Sequence, residues 1–145
     1  MRINGGFQVS KIKQLGDRIF EKILAKRGIE AFNGAQGRIL YVLFQEDGVP
    51  IKTVSGKCGL AITSLTTMLE RMDKGGLILR RQDSADKRKT LLFLTDKARN
   101  LEQDYIAVSE EMGDIYYQGF TADEVKAAEE YLNRIRLNLE RWQLK

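Results

Sequence analysis

The segment from Leu77 to Thr95, LILRRQDSADKRKTLLFLT, constrains the fold of this chain more than any other segment. Two apolar runs flank a polar stretch, and this pattern predicts a β-hairpin. Five cationic side chains lie in or beside the expected turn: Arg80, Arg81, Lys87, Arg88 and Lys89. Because a narrow hairpin can enter a groove while its cations contact phosphates, the segment indicates binding to double-stranded DNA.

Four helices are predicted before the hairpin from the spacing of apolar residues. The first is amphipathic and ends near Gly28. The second is expected at about residues 35–45, before the turn-forming sequence DGVP, which contains the chain's only proline. A short third helix is expected at residues 51–57, closed at Gly59, and a fourth at about residues 61–74.

The fourth predicted helix has an apolar and a polar face. The apolar face comprises Ile62, Leu65, Leu69 and Met72. The polar face comprises Thr63, Ser64, Thr67, Arg71 and Lys74. The first face is expected to pack on the core, which leaves the second free to contact a partner, and Gly75-Gly76 is expected to end the helix.

After the hairpin, one long helix is predicted from the N-cap Thr95, and another from Thr121, where the sequence TADE forms a capping box. Their apolar residues alternate strictly at steps of three and four, from Ala98 to Ile115 and from Val125 to Trp142. Each set forms a narrow apolar stripe, or seam, along a helix of roughly 20 residues, about 30 Å, which is longer than one small core requires. We interpret both helices, with the first helix, as a dimerisation region. The alternative is that they fold back on their own subunit.

Composition argues against several classes of function. The chain has no histidine and one cysteine, Cys58, so an intrachain disulfide, the usual zinc sites and His-dependent triads are excluded. No carboxylate pair has a recognisable catalytic or metal-binding spacing, so no enzyme activity, metal or cofactor is expected. No apolar run is long enough for a bilayer, and the amino terminus lacks a signal-peptide pattern. A cytoplasmic protein without a membrane partner is expected.

Charge is distributed unevenly along the chain. Residues 51–99 contain 11 Lys and Arg against 5 Asp and Glu, a net charge of +6. Residues 100–145 contain 5 against 10, a net charge of −5. The middle of the chain therefore suits a polyanion and the tail does not, although both could be ordinary solvated surfaces.

The order of helix, short helix, helix and two-stranded wing is that of a winged helix-turn-helix, and with its long flanking helices the chain resembles the MarR family of transcriptional regulators. The specific motif is D-x-R-x-x-x-L-x-L-T, present as Asp86, Arg88, Leu92, Leu94 and Thr95. The sequence LTTMLERMDKGGLILRR before it looks like the family's recognition helix and first wing strand. The layout agrees over nearly the whole chain, and the motifs agree over about residues 60–99.

The resemblance implies a mainly α fold with a small β-wing. Residues 1–30 would form the N-terminal helix of the dimerisation region, residues 31–95 the DNA-binding lobe, and residues 96–145 the C-terminal dimerisation helices, all within one compact chain. A twofold dimer of this kind is expected to bind a pseudo-palindromic operator. Its recognition helices would lie in major grooves about one turn, roughly 10 to 11 base pairs, apart.

Within the wing, Asp86 can hold the Arg88 guanidinium by a charge-assisted hydrogen bond, and an oriented Arg88 suits a narrow minor groove. The alternative is a surface ion pair that only stiffens the turn. Lys87 and Lys89 would add phosphate contacts. On the recognition helix, Thr63, Ser64 and Thr67 are expected to approach base edges or phosphates. Two further candidates on this helix are Thr66, which lies nearer the packed side but matches the family pattern, and Arg71, which would contact a phosphate or pair with a carboxylate such as Asp86.

Regulation by a small molecule is expected only from the resemblance. Family members often release DNA when a small aromatic or anionic compound binds between the dimer helices and the DNA-binding lobe, which suggests Phe7, Ile12 and Leu15 as ligand contacts. The alternative is that these three residues are ordinary core. Cys58 stands where the family tends to have leucine, so a small buried hydrophobic role is expected rather than redox sensing.

The sequence therefore predicts a ligand-responsive repressor that binds DNA as a homodimer. A helical protein-interaction module, with the basic hairpin contacting an acidic partner, is the main alternative. An enzyme is the other, and the sequence offers no catalytic constellation for it.

Overall fold

The computed structural model describes residues 1–145 and contains seven helices and three strands. In chain order these are α1 (Gly5–Lys26), α2 (Gly34–Gln45), β1 (Val49–Pro50), α3 (Ile51–Cys58), α4 (Ile62–Lys74), β2 (Ile78–Gln82), β3 (Thr90–Leu94), α5 (Asp96–Arg99), α6 (Glu102–Tyr116) and α7 (Ala122–Gln143). Residues 1–110 and 111–145 form two compact units. The mainly α architecture with a small sheet confirms the predicted fold class.

The predicted hairpin is present, and it belongs to a sheet of three antiparallel strands in the order β1-β3-β2. Strand β2 pairs with β3 from Ile78 opposite Leu94 to Gln82 opposite Thr90, so residues 83–89 form the tip of the wing. Strand β1 is not predicted by the sequence, because the sequence DGVP at residues 47–50 indicates only a turn. Two residues are too few to show a strand pattern, and proline is tolerated there because β1 is an edge strand.

The core of the first unit is formed by α2, α3, α4 and the sheet. Its fully buried side chains include Ile39, Leu40, Leu43, Val54, Leu65, Leu69, Met72, Ile78 and Leu92. The predicted apolar face of α4 is therefore buried at three of its four positions. The prediction was wrong for Ile62, which is 52% exposed, because the first residue of α4 extends beyond the edge of the core.

Several predicted helix ends are confirmed. Gly59 ends α3 with a φ of 67°, in the left-handed region that favours glycine. The Thr95 hydroxyl accepts a hydrogen bond from the Ala98 amide at 3.1 Å, and Thr121 forms the expected capping box with Glu124. A further capping box, which joins Asn33 and Gln36 at the start of α2, was not predicted.

The helix predicted after Thr95 is interrupted, so that prediction was wrong in part. Helix α5 ends at Arg99 and α6 begins at Glu102. The Leu101 amide donates to the Ala98 carbonyl at 3.0 Å, and this tighter i to i−3 bond replaces the α-helical one. The spacing of apolar residues did not indicate the break because Leu101 stays in phase with the seam.

Helices α1 and α7 each have exposed apolar side chains. On α7, which contains no buried residue, Leu132, Ile135, Leu139 and Trp142 are exposed by 47% to 74%. The predicted role of these helices in dimerisation stays a prediction. None of the helices is both long and apolar enough to cross a membrane.

Candidate nucleic-acid interface

The polar side chains predicted on the recognition helix all lie on the exposed surface of α4. Thr63, Ser64, Thr66, Thr67 and Arg71 are all exposed, including Thr66, which the helical wheel had placed nearer the packed side. This arrangement follows from the core, because the burial of Leu65, Leu69 and Met72 turns the opposite face of α4 outward.

The hydroxyl groups on α4 differ in their freedom to bind a partner. The Thr66 hydroxyl donates to the Ile62 carbonyl at 2.7 Å, and the Thr67 hydroxyl makes a longer bond of 3.5 Å to the Thr63 carbonyl. These two protons are therefore directed back onto the helix. The hydroxyls of Thr63 and Ser64 make no hydrogen bond within the protein and remain free to donate.

Arg71 makes no ion pair within the chain. The carboxylate of Asp86, one of the partners expected for Arg71, pairs with Arg88 instead, and Asp73 pairs with Arg80 at 3.2 Å. The exposed guanidinium of Arg71 is thus available to an external anion.

At the tip of the wing, the predicted pairing of Asp86 with Arg88 is present. One carboxylate oxygen accepts from Arg88 Nε at 3.0 Å and from the Arg88 amide at 3.1 Å, and the other accepts from Nη2 at 3.2 Å. The side-chain bonds from Arg88, followed by the backbone bond, lower the pKa of Asp86 below its ordinary value. The Arg88 side chain is nevertheless 91% exposed, so it is oriented without being covered.

Hydrogen bonds within the wing tip order the rest of the loop. The Lys89 amide donates to the Asp86 carbonyl at 2.9 Å, and the Asp83 amide donates to the Lys89 carbonyl at 3.0 Å. The Gln82 side chain donates to the Lys87 carbonyl at 2.7 Å. These bonds use backbone groups, so the exposed ammonium groups of Lys87 and Lys89 remain free.

A groove of about 430 Å³ lies between the wing and the amino-terminal ends of α3 and α4. Its lining residues are Pro50, Ile51, Lys52, Thr53, Ile62, Arg88, Lys89 and Thr90. Three of them are cationic, which makes the groove attractive to phosphate. Sequence reasoning missed Lys52 and Thr53, because they are 30 or more residues away from the wing tip and no local pattern brings them together.

The base of the wing is tied to its neighbours by polar contacts. Asp47 accepts a hydrogen bond from the Leu94 amide at 2.8 Å and forms an ion pair with Arg99 of α5. The Thr95 hydroxyl donates to the Gly76 carbonyl at 2.6 Å, and Lys97 donates to the Gly75 carbonyl at 2.9 Å. The end of α4, the end of β3 and the whole of α5 are therefore held together.

A second cavity, of about 480 Å³, lies between α2, α3 and α6. Its lining residues are Arg38, Tyr41, Val42, Gln45, Lys57, Cys58 and Tyr105. Cys58 is buried, as predicted, and its thiol lies 3.7 Å from the Arg38 carbonyl oxygen. Burial raises the pKa of this thiol, and the positive charge of Arg38 opposes the rise.

The three residues suggested as ligand contacts are exposed on α1: Phe7 by 70%, Ile12 by 51% and Leu15 by 44%. None of them lines the cavity of about 480 Å³ or the cavity of about 300 Å³ between α1 and α2. Their role in ligand binding stays a prediction. No group of three or more Cys, Asp or Glu residues is arranged to hold a metal ion.

Comparison with known proteins gives a family match over the middle of the chain. Residues 32–90 match the model described as MarR family. The chain is 32% identical over 98 residues to "HTH-type transcriptional regulator TtmR" from Methylorubrum extorquens. That alignment covers 68% of this chain and 49% of TtmR, so the chain spans about half the length of this curated relative.

Solved structures share the fold. A mutant MarR from E. coli in complex with operator DNA has a TM-score of 0.81 at 24% identity, covering 92% of this chain and 94% of that chain. The PcaV transcriptional regulator from Streptomyces coelicolor, in complex with its natural ligand, has a TM-score of 0.80 at 21% identity, covering 91% of each chain. At these identities the likeness establishes a common winged-helix fold.

Proposed function

This chain carries a MarR-family domain, and we propose that it is a transcriptional regulator that binds duplex DNA through α4 and the wing. The observation that carries the proposal is the geometry of Arg88, whose guanidinium is 91% exposed and yet held in place by both oxygens of Asp86. Such an arginine is ready to enter a narrow minor groove with little further loss of rotamer freedom.

The remaining contacts with DNA follow from the placement of Arg88 in a minor groove. With the wing over a minor groove, α4 lies along the adjacent major groove, and its exposed residues approach the bases. Lys52, Lys87 and Lys89 contact phosphates, which strengthens binding without reading sequence. Arg71, which has no partner within the chain, contacts a phosphate as well.

We propose that the protein binds its operator as a homodimer. The exposed apolar residues of α1 and α7 support this, because an isolated subunit would leave several large apolar side chains in water on each helix. Replacing Ile135 and Leu139 together with aspartate should yield monomers in light scattering. Dimers that persist at micromolar concentration would contradict the assignment of α7 to the interface.

We further propose that the protein is a repressor whose operator overlaps a promoter, so that bound protein blocks polymerase. A reporter driven by the protein's own upstream region should become more active when the gene is deleted. Loss of expression on deletion would instead indicate an activator.

The proposed effector is a small aromatic or anionic compound, and the cavity of about 480 Å³ is a second candidate site for it beside Phe7, Ile12 and Leu15 on α1. Tyr41 and Tyr105 provide aromatic surface in this cavity, while Arg38 and Lys57 provide positive charge. A ligand can release DNA only if it binds one spacing of the two recognition helices better than the other. Salicylate, as an aromatic anion, is a suitable first probe, and Arg38→Met should weaken both its binding and its effect on the DNA complex.

Titration of labelled DNA from the upstream region tests the central proposal. At fixed salt, Arg88→Ala should weaken binding at least tenfold, while Arg141→Ala, which removes an exposed arginine from the acidic tail, should change it less than twofold. Equal binding by wild type and Arg88→Ala would refute the role of the wing. Binding without sequence preference would favour the protein-interaction module instead.

A further inference from the structure

Ile62 lies beside cationic side chains that would attract DNA, although the spacing of apolar residues along α4 predicted that it would be buried in the core. It is the first residue of α4 and is 52% exposed. Single exposed apolar residues are ordinary on protein surfaces. This one, however, is among the residues that line the groove together with Lys52, Arg88 and Lys89.

The amino-terminal half of α4 lacks the side chains that read most bases. Residues 61–67, AITSLTT, include no Arg, Lys, Asn, Gln, Asp or Glu. Paired hydrogen bonds to guanine or adenine, and acceptance from cytosine, depend on those residue types. The hydroxyl protons of Thr66 and Thr67 are already directed to carbonyls of the helix. Discrimination by this segment is therefore left to the free hydroxyls of Thr63 and Ser64 and to apolar contact.

The major groove has one apolar group on its edge, the C5-methyl of thymine. We propose that Ile62 is a specificity-determining residue that contacts this methyl group and so selects an A·T pair in each half-site. The groove cations hold the flanking phosphates, and this fixes the distance at which the isoleucine meets the base edge. The inference rests on the proposed DNA-binding function and adds to it the base that α4 prefers.

The test compares thymine with uracil, which lacks only the methyl group. Duplexes are first selected from a random library with the full-length protein, and each thymine of the selected site is then replaced with deoxyuridine. Wild type should bind about fourfold more weakly per half-site at one thymine position, the effect of exposing one methyl group. Ile62→Ala should bind the thymine and uracil duplexes within twofold of each other.

Two controls separate this effect from a general loss of structure. Thermal unfolding should show that Ile62→Ala remains folded, as expected for a half-exposed residue. Leu79→Ala removes another exposed aliphatic side chain, from β2, and should keep the full sensitivity to uracil.

Three outcomes would overturn the assignment while leaving DNA binding intact. These are selected half-sites without a constant thymine, wild-type binding that changes less than twofold at every uracil, and an Ile62→Ala protein as sensitive to uracil as wild type. Failure to enrich any duplex would refute the proposed DNA-binding function itself, and the base preference with it.

Discussion

Replacing Asp86 with alanine should weaken DNA binding, even though it removes a negative charge from the proposed DNA-binding surface. Both oxygens of Asp86 hold the Arg88 guanidinium, at 3.0 and 3.2 Å, and no other group in the chain does so. Without Asp86, the exposed arginine samples many rotamers in the free protein. Binding must then immobilise it, and that entropy loss reduces affinity.

The expected size follows from the cost of ordering one long side chain, a factor of about two to ten in affinity. Since the proposed dimer has two wings, Asp86→Ala should bind about four- to a hundredfold more weakly than wild type. Removal of the negative carboxylate charge should by itself raise the affinity for DNA. At physiological salt, where the Debye length is about 8 Å, screening weakens this charge effect, and we expect the effect on orientation to dominate.

Fluorescence anisotropy with labelled operator, repeated over a range of salt concentrations, separates the two effects. Arg88→Ala should reduce the steepness of log affinity against log salt by about two for the dimer, because two cations that displace counterions from the duplex are lost. Asp86→Ala should keep the slope, since Arg88 is still present. Asp86 is ionised at any pH above its lowered pKa, so the difference in affinity between Asp86→Ala and wild type should be constant near neutral pH. This difference should fade only as the pH falls through the lowered pKa.

Asp83→Ala is the matched control, because Asp83 belongs to the same loop and its side chain accepts only from the Ala85 amide, at 2.9 Å. This variant loses the same charge without releasing an arginine and should bind at least as tightly as wild type. Binding by Asp86→Ala as tight as that of wild type at physiological salt would refute the argument.

Three further predictions concern the stability and reactivity of the lobe. Asp47→Ala should reduce the free energy of unfolding in urea by about 1–3 kcal/mol, because the Leu94 amide and the Arg99 guanidinium lose their acceptor. The control Asp17→Ala breaks an exposed i,i+4 ion pair and should reduce it by under about 0.5 kcal/mol. Gly48→Ala should lower the melting temperature, because φ is +70° and the new Cβ would lie 2.8 Å from a phenyl ring, whereas Gly56→Ala in open space on α3 should not. Cys58 should react slowly with a thiol reagent at pH 7 until the protein unfolds, because its burial raises its pKa; rapid reaction of the folded protein would contradict this.

The local sequence determined the order of most elements and much of the candidate interface. The buried face of α4, the glycine that ends α3, the cap at Thr95 and the pairing of Asp86 with Arg88 all depend on residues within a few positions of one another. Helix periodicity, capping and a two-residue spacing are properties of the chain before it folds, so they could be predicted.

The tertiary structure alone decided which distant residues share a surface. It brought Lys52 to the wing, joined Asp47 to Arg99 and left Ile62 outside the core despite its apolar spacing. It also paired β1 with β3 and interrupted the helix after Arg99. These features depend on how elements that are distant in sequence pack against one another. The periodicity of one segment carries no information about which other segments lie beside it in space.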